Sequence, residues 1–184
     1  MDQFKDIALP LVLVFEGSKY TCSPVDKGGP TRFGVTQTVY DAYRTNKGLT
    51  TQSVKDITIQ EVQDIYYVGY WVSAKCQGMP GKLSIAVFDT TVNSGKGRSI
   101  KILQQAIGAT VDGIIGQETL QKLKSLDETV VANKYLDTRE SFYHAIVDHD
   151  NSQSVFLNGW LRRAKFLRDY INGDKTLEQI KKEW

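Results

Sequence analysis

Apolar residues recur at helical spacing along most of this chain of 184 residues, and this period constrains the fold more than any other feature. Thr58 and Glu61 add the capping-box pattern that marks a helix start, and the segment 83–92 is apolar enough to predict a central helix. We therefore predict a mainly α fold. The predicted helices cover residues 4–15, 36–43, 58–71, 83–92, 100–107, 116–126, 127–148 and 154–172.

One stretch, residues 17–34, breaks the helical pattern. It holds four glycines and two prolines without a sustained period, which predicts a loop or a short β-hairpin. The helix before it is expected to start at Asp2 as N-cap, to be kinked or delayed by Pro10, and to stop at Gly17. Glu16 therefore stands where this helix meets the loop.

The charge is nearly balanced, with 23 Lys and Arg against 21 Asp and Glu, a net charge of +2. This balance does not indicate nucleic-acid binding, and it mildly favours an anionic polymer such as a bacterial wall. Basic residues outnumber acidic ones by seven to four in 160–184, which indicates either a solvated helix face or a wall-binding patch. Trp160 and its neighbours Arg162, Arg163, Lys165 and Arg168 motivate the hypothesis that helix 160–172 contacts the bacterial outer membrane.

Metal and cofactor sites are not predicted. Cys22 and Cys76 form no CxxC pair, so they are either free thiols or a bridge. His144 and His149, spaced i and i+5, are a poor metal pair. The apolar run 8–15 is too short to span a bilayer and follows acidic residues, so we expect no export signal.

A carboxylic acid at a helix end beside a sugar-sized loop can serve as the general acid that cleaves a glycosidic bond. Glu16 fits this role, and a loop that returns toward it would place Asp26, Thr31 or Thr36 across a cleft. The alternatives are a surface carboxylate for Glu16 and a turn residue for Asp26, which precedes Gly28-Gly29.

The string around Glu16 resembles the signature of glycoside hydrolase family 108, whose members are peptidoglycan N-acetylmuramidases, many of them bacteriophage endolysins. The string is Glu16-Gly17-x-x-Tyr20, then Pro24-x-Asp26-x-Gly28-Gly29-x-Thr31-x-x-Gly34-Val35-Thr36. The resemblance continues in Tyr70-Trp71, Phe88-Asp89-Thr90-Thr91-Val92-Asn93-Ser94-Gly95, Leu103-Gln104-Gln105-Ala106-Ile107-Gly108 and Asp112-Gly113-x-x-Gly116-x-x-Thr119-Leu120. The tail fits through Arg139, Phe142, Tyr143 and Phe156-x-x-Gly159-Trp160-x-x-Arg163.

The resemblance implies a lysozyme-like helical fold in which Glu16 is the catalytic acid. It also implies a muramidase region at 1–95 and a helical peptidoglycan-binding region at 96–184, packed on it. The family usually has Glu-Gly-Gly-Tyr, whereas this chain has Ser18-Lys19 before Tyr20, so the turn is either one residue longer or differently shaped and the reach of Tyr20 changes. The Glu…Asp…Thr arrangement of phage-type lysozymes is matched by Asp26 and Thr31, with the aspartate displaced by one position.

The predicted substrate-binding residues are Tyr20, Thr36, Tyr67, Asp89 and Asn93. Asp89 and Asn93 share a helix face, and Asn93 either binds an acetamido group or caps its helix. Asp89 either contacts substrate or packs inside and holds the loop through backbone N–H groups. Tyr67 is expected to face the cleft, and its neighbours Tyr66 and Tyr70 to lie in the core.

These expectations predict a monomeric peptidoglycan hydrolase that needs no metal or cofactor and binds glycan strands, not nucleic acid. Loop 17–36 would form one wall of the groove and helix 83–93 its floor. As an endolysin, the protein would accumulate in the host cytoplasm and reach the wall in the periplasm after a holin-type protein opens the membrane. The rivals are a lytic transglycosylase that forms 1,6-anhydro ends and a non-catalytic peptidoglycan-binding phage module.

Overall fold

The structure is a computed structural model that describes residues 2–22 and 29–184. The chain divides into two compact units, Met1–Gly69 and Tyr70–Trp184. The predicted boundary between the catalytic and wall-binding regions, at 95/96, lies inside the second unit. A division of function at that point stays a prediction.

The first unit combines helices with one small hairpin. A π-helix, Gln3–Ala8, leads into α1, Leu9–Glu16. The hairpin consists of β1, Thr31–Arg32, and β2, Val35–Thr36. It is followed by α2, Gln37–Asn46, a 3-10 turn, Val54–Asp56, and α3, Ile59–Tyr66. A π-helical turn, Tyr67–Val72, follows α3 and crosses into the second unit.

The N-terminal helix starts as predicted. The Asp2 carboxylate accepts hydrogen bonds from the N–H groups of Phe4 and Lys5, both at 2.9 Å. Pro10 was expected to kink this helix or delay its start; in the structure the chain is π-helical up to Ala8 and α-helical from Leu9. Proline lacks an N–H, and its ring crowds the carbonyl four residues earlier, so a wider π turn before it relieves the clash.

Of the loop or short hairpin predicted after Glu16, the structure has a hairpin at its end, with Thr31 opposite Thr36 and Arg32 opposite Val35. Phe33 and Gly34 form its two-residue turn and have φ angles of 53° and 73°. Positive φ at both central residues is the type I′ geometry, whose twist matches that of the strands.

The helix starts predicted by capping residues are also confirmed. The Thr36 hydroxyl accepts the N–H of Val39 and begins α2. Thr58 and Glu61 form the full capping box of α3. Glu61 also joins the two helices, because its carboxylate accepts hydrogen bonds from Tyr40 at 2.8 Å and Arg44 at 2.6 Å.

The second unit is helical throughout its described elements. These are a 3-10 turn, Cys76–Gly78, then α4, Gly81–Ser94, α5, Lys96–Ala106, α6, Gln117–Lys124, α7, Glu128–His149, a 3-10 turn, Asn151–Gln153, α8, Ser154–Asn172, and α9, Leu177–Glu183. The mainly α, lysozyme-like prediction is thus confirmed. Helix α9 was not predicted, although Thr176 and Gln179 form the capping box that announces it.

Helix α4 is the central helix expected from its apolar sequence. Every residue from Leu83 to Thr91 is buried, and α4 packs against both α5 and α7. Gly95, with φ 81°, is the single residue between α4 and α5. This positive φ suits glycine and lets the chain turn directly from one helix into the next.

Both cysteines are free, with Cys22 exposed and Cys76 buried. Burial raises the pKa of the Cys76 thiol to about 12. Across residues 2–22 and 29–184, none of the helices has the length and apolar character required to cross a membrane.

Candidate active site

Glu16 is the last residue of α1 and is partly buried. The helix ends there because Gly17 turns to φ 73° and ψ 170°, while its N–H still bonds to the Leu13 carbonyl at 3.0 Å. The apolar side of α1, with Leu11 and Val12 fully buried, anchors the helix in the unit. The carboxyl group is therefore held at the end of a rigid element.

The hairpin turn lies directly against Glu16. A β-carbon on Gly34 would lie 3.0 Å from Glu16 Oε2 and 2.5 Å from Tyr66 Oη, closer than side-chain atoms normally pack. Tyr66, from α3, donates a hydrogen bond of 2.8 Å to the carbonyl of Phe33. Helix α3 thus holds the turn in place beside the carboxyl group, and glycine is required at position 34.

This arrangement suits a general acid. Proton donation needs a carboxyl group fixed within hydrogen-bond reach of the leaving oxygen yet open to substrate. Glu16 satisfies the first condition through α1 and the Phe33–Gly34 turn, and its partial exposure satisfies the second. Tyr66 was expected only in the core; it is buried, but it also supports the turn.

The two threonines sit opposite each other in the hairpin, so their side chains share one face. The Thr31 hydroxyl donates to the carbonyl of Gly29 at 3.1 Å, and the Thr31 backbone pairs with Thr21. The Thr36 hydroxyl oxygen caps the N-terminus of α2. Asp26, the other predicted catalytic residue, lies outside the described residues.

Tyr20 and Cys22 flank Thr21 and point to the same side of this extended segment. Both are exposed. A hydrogen bond with the Cys22 side chain raises the pKa of Tyr20, with a smaller contribution from desolvation. Tyr20 is thus available at the surface of the loop that follows Glu16.

Tyr67 is exposed, as predicted, and its ring packs edge-on against Phe4 at 5.1 Å. It lines a groove of about 580 Å³ between α2 and α3, together with Tyr43, Lys47 and Val68 among others. Glu16 is not among the described residues that line this groove. The exposed ring of Tyr67 therefore belongs to this groove beside α2.

The sequence left two alternatives for Asp89, substrate contact or interior packing, and the structure places Asp89 in the interior of the second unit. It is fully buried, and its carboxylate accepts from Arg139 Nη1 at 2.6 Å and from Arg163 Nε at 2.9 Å. The interior alternative had paired Asp89 with backbone N–H groups; its partners are these arginines instead. Burial alone would raise the pKa of Asp89, but the attraction of Arg163 and Arg139 outweighs it and lowers that pKa.

Asn93 lies in the last turn of α4 and is exposed. Its Oδ1 accepts a hydrogen bond of 2.8 Å from the hydroxyl of Tyr143 and one of 3.0 Å from Ser94. Gly95, not Asn93, occupies the C-cap position. Tyr143 also accepts from Arg139 Nε at 2.6 Å, so α7 links the exposed Asn93 to the buried Asp89.

The basic side chains of α8 are engaged within the unit. Besides the buried pair with Asp89, Lys165 contacts Asp169 and Arg168 contacts Asp137, both at 2.8 Å. Across the described ranges, no group of three His, Cys, Asp or Glu side chains is arranged to hold a metal ion.

Comparison with known proteins supports the same chemistry. Residues 9–95 match glycosyl hydrolase 108, and residues 98–165 match a predicted peptidoglycan domain. Twelve chains of solved structures match; one, from the structure of Brucella abortus SagA, is 29% identical with a TM-score of 0.73, covering 90% of this chain and 92% of that chain. No curated protein matches the chain.

The two family matches support a glycosidase that acts on peptidoglycan. They cover both the string around Glu16 and the later helices that carried the resemblance. Residues 9–95 belong to glycosyl hydrolase family 108, and residues 98–165 to the predicted peptidoglycan domain family that follows it in this chain.

Proposed function

We propose that the protein is an N-acetylmuramidase that hydrolyses the β-1,4 bond between N-acetylmuramic acid and N-acetylglucosamine in peptidoglycan. The observation that carries this proposal is the position of Glu16 at the end of α1, against the turn at Gly34. A carboxyl group held by a helix and a backbone turn is fixed well enough to protonate a departing sugar oxygen.

In the proposed reaction, Glu16 donates its proton to the glycosidic oxygen as the bond to the anomeric carbon breaks. Asp26, or a water held by Thr31 or Thr36, then stabilises or attacks the positively charged sugar. The new hydroxyl of the N-acetylglucosamine product keeps the proton from Glu16. Water adds its oxygen to the anomeric carbon, which becomes the reducing N-acetylmuramic acid end, and the proton that this water releases restores the acid form of Glu16. Tyr20 contributes to substrate binding beside the loop.

The test is mass spectrometry of fragments released from purified sacculi by the native protein and by Glu16→Gln. The amide keeps the shape of the side chain and removes the donated proton, so release should fall at least about a hundredfold. Glu178→Gln is the matched control because the Glu178 side chain is largely exposed on α9. It should retain full activity.

The products separate the remaining reaction types. Reducing N-acetylmuramic acid ends that disappear with Glu16→Gln support the proposal. Anhydro ends would assign a lytic transglycosylase, and binding to sacculi without release would assign a non-catalytic module. Asp26→Asn measures whether a second carboxylate takes part: a loss comparable to that of Glu16→Gln requires it.

At the level of the cell, the protein acts as a monomeric endolysin that lyses the host wall after a holin-type protein opens the membrane. Expression in a bacterium should cause lysis only when a pore-forming protein is co-expressed, and lysis without a pore would refute this route. Sedimentation should give the monomer mass. Contact of α8 with the outer membrane predicts that Glu16→Gln permeabilises anionic vesicles; intact vesicles would refute it.

A further inference from the structure

A row of aromatic rings, here called the aromatic row, joins α7 and α8 in the second unit. Tyr143 stacks on Trp160 with ring centroids 5.2 Å apart, and Trp160 stacks on Phe156 at 5.9 Å. Phe142 lies beside Tyr143 at 5.8 Å. Tyr143 is buried, whereas Phe156, at the other end, is 54% exposed. The row therefore begins in the interior and ends as an aromatic surface in solvent.

The polar group next to this row has a defined orientation. Arg139 Nε can only donate, so the Tyr143 oxygen accepts from it and the Tyr143 hydroxyl hydrogen must go elsewhere. It goes to Asn93, so the Asn93 atom that faces Tyr143 is the acceptor Oδ1. The Asn93 Nδ2 group faces away, and within the described part of the chain no hydrogen bond occupies it.

Positive charge lies on the same side of the unit. The guanidinium group of Arg98, near the start of α5, stands 4.5 Å over the ring of Phe142. Lys96 and Arg98 are both exposed, and neither forms an ion pair with any residue that the structure describes. These charges are therefore free to attract an anion.

From these contacts we infer that the aromatic row and Asn93 form a binding site for an N-acetylated glycan strand that carries carboxylates. The inference rests on the proposed function and names a binding surface for the same polymer. The apolar face of a sugar ring packs on Phe156 and Trp160, Asn93 Nδ2 donates to an acetamido carbonyl, and Arg98 attracts lactyl or stem-peptide carboxylates. Tyr143 is a positioning residue, because it acts through Asn93.

A glycan ligand explains the aromatic row and the oriented Asn93 amide together better than a lipid surface does. Ligand sites for sugars pair apolar and aromatic walls with a few well-placed polar groups. Here one amide is oriented by a hydrogen-bond chain that begins at Asp89, which is fully buried and paired with Arg139. A lipid surface would use the exposed rings but would gain nothing from an oriented amide donor.

The experiment uses the full chain with Glu16→Gln, so that the probe is not cleaved. The probe is chitohexaose, a β-1,4 hexamer of N-acetylglucosamine, with cellohexaose as the analogue that lacks acetamido groups. Binding is followed by NMR through the indole N–H resonances of the three tryptophans. Trp160→Phe assigns the resonance of Trp160, which should shift and saturate with chitohexaose.

Three added variants divide the site into its parts. Phe156→Ala should weaken binding of both hexamers about two- to tenfold, whereas Val155→Ala, at a neighbouring position that is 76% exposed, should change neither. Asn93→Asp keeps the acceptor for Tyr143, removes the donor and adds a negative charge; because both hexamers are uncharged, comparing them isolates the effect of the lost donor on the acetamido group. It should weaken chitohexaose at least about tenfold and leave cellohexaose unchanged.

Charge is tested separately with soluble peptidoglycan fragments. Arg98→Gln should weaken their binding and make it less sensitive to salt, with little effect on uncharged chitohexaose. Phe156 and Arg98 are exposed, so these two variants carry the test even if Asn93→Asp does not fold.

Three results would overturn the inference: an unshifted Trp160 resonance, equal effects of Phe156→Ala and Val155→Ala, or equal losses of the two hexamers with Asn93→Asp. Loss of binding to anionic vesicles by Phe156→Ala, with chitohexaose affinity unchanged, would assign the row to a lipid surface. Binding is read without turnover, so a Glu16→Gln protein that still released fragments would refute the proposed function alone.

Discussion

Removing the charge of Asp89 should destabilise the protein more than any exposed substitution. The Asp89 side chain is 0% exposed and binds Arg139 at 2.6 Å and Arg163 at 2.8 Å. In Asp89→Asn two buried guanidinium groups lose the anion that they share, and the new amide N–H₂ opposes their donors. Removing one partner of a buried ion pair costs about 3–5 kcal/mol.

That loss is a large part of the free energy of unfolding, which is typically about 5–15 kcal/mol for a protein. For a chain of this size, each kcal/mol lowers Tm by about 2–4 °C. Asp89→Asn should therefore melt about 6–20 °C below the native protein in calorimetry, and urea unfolding should show the same loss in free energy.

Asp137→Asn is the matched control. Asp137 also binds an arginine, Arg168, at 2.8 Å, but its side chain is 67% exposed. Exposed pairs contribute at most about 1 kcal/mol, so this variant should melt within about 4 °C of the native protein. Equal losses in the two variants would refute the reasoning, because burial is the main difference between the two aspartates.

Three further predictions concern the turn, acid stability and the thiols. Positive φ should cost Gly34→Ala and Gly48→Ala about 1–2 kcal/mol each, and the steric clash with Tyr66 and Glu16 should add to the cost of Gly34→Ala. Only Gly34→Ala meets neighbouring atoms, so it alone should also lose activity, about a hundredfold, in the sacculus assay; equal activities would contradict this. The lowered pKa of Asp89 means that its stabilisation is present above the unfolded-state value of about 3.9 and is lost as the pH falls. The Tm gap between native protein and Asp89→Asn should therefore narrow below about pH 4, and a constant gap would refute the link. Mass spectrometry after brief alkylation of the native protein should find Cys22 modified and Cys76, buried with a raised pKa, intact; equal labelling would be evidence against this burial.

Local signals in the sequence were sufficient for most of the helices. The caps at Asp2, Thr36 and Thr58 were predicted from single side chains that satisfy the first N–H groups of a helix. Helix α4 was recognised as central because the segment 83–92 is strongly apolar. These features depend on residues within a few positions of one another, which is the range over which sequence patterns are informative.

The turn beside Glu16 shows where local signals stop. A type I′ turn is usually announced by Asn-Gly or Asp-Gly, whereas this turn is Phe33-Gly34. Phe33 keeps a positive φ because the hydroxyl of Tyr66, from α3, holds its carbonyl. The motif around Glu16 predicted a loop, but its contact with Gly34 depends on a tyrosine 33 positions away from Phe33.

By itself, the sequence determined the helical class, the helix starts at Asp2, Thr36 and Thr58, the break in the helical pattern after Glu16 and the resemblance to a glycosidase family. Tertiary structure alone decided that Asp89 is a buried partner of Arg139 and Arg163, which lie 50 and 74 positions along the chain. It alone decided that Asn93 presents its amide nitrogen. Helix caps and helical periods follow from neighbouring residues, whereas the partners of a buried charge are determined by the packing of helices that are distant in sequence.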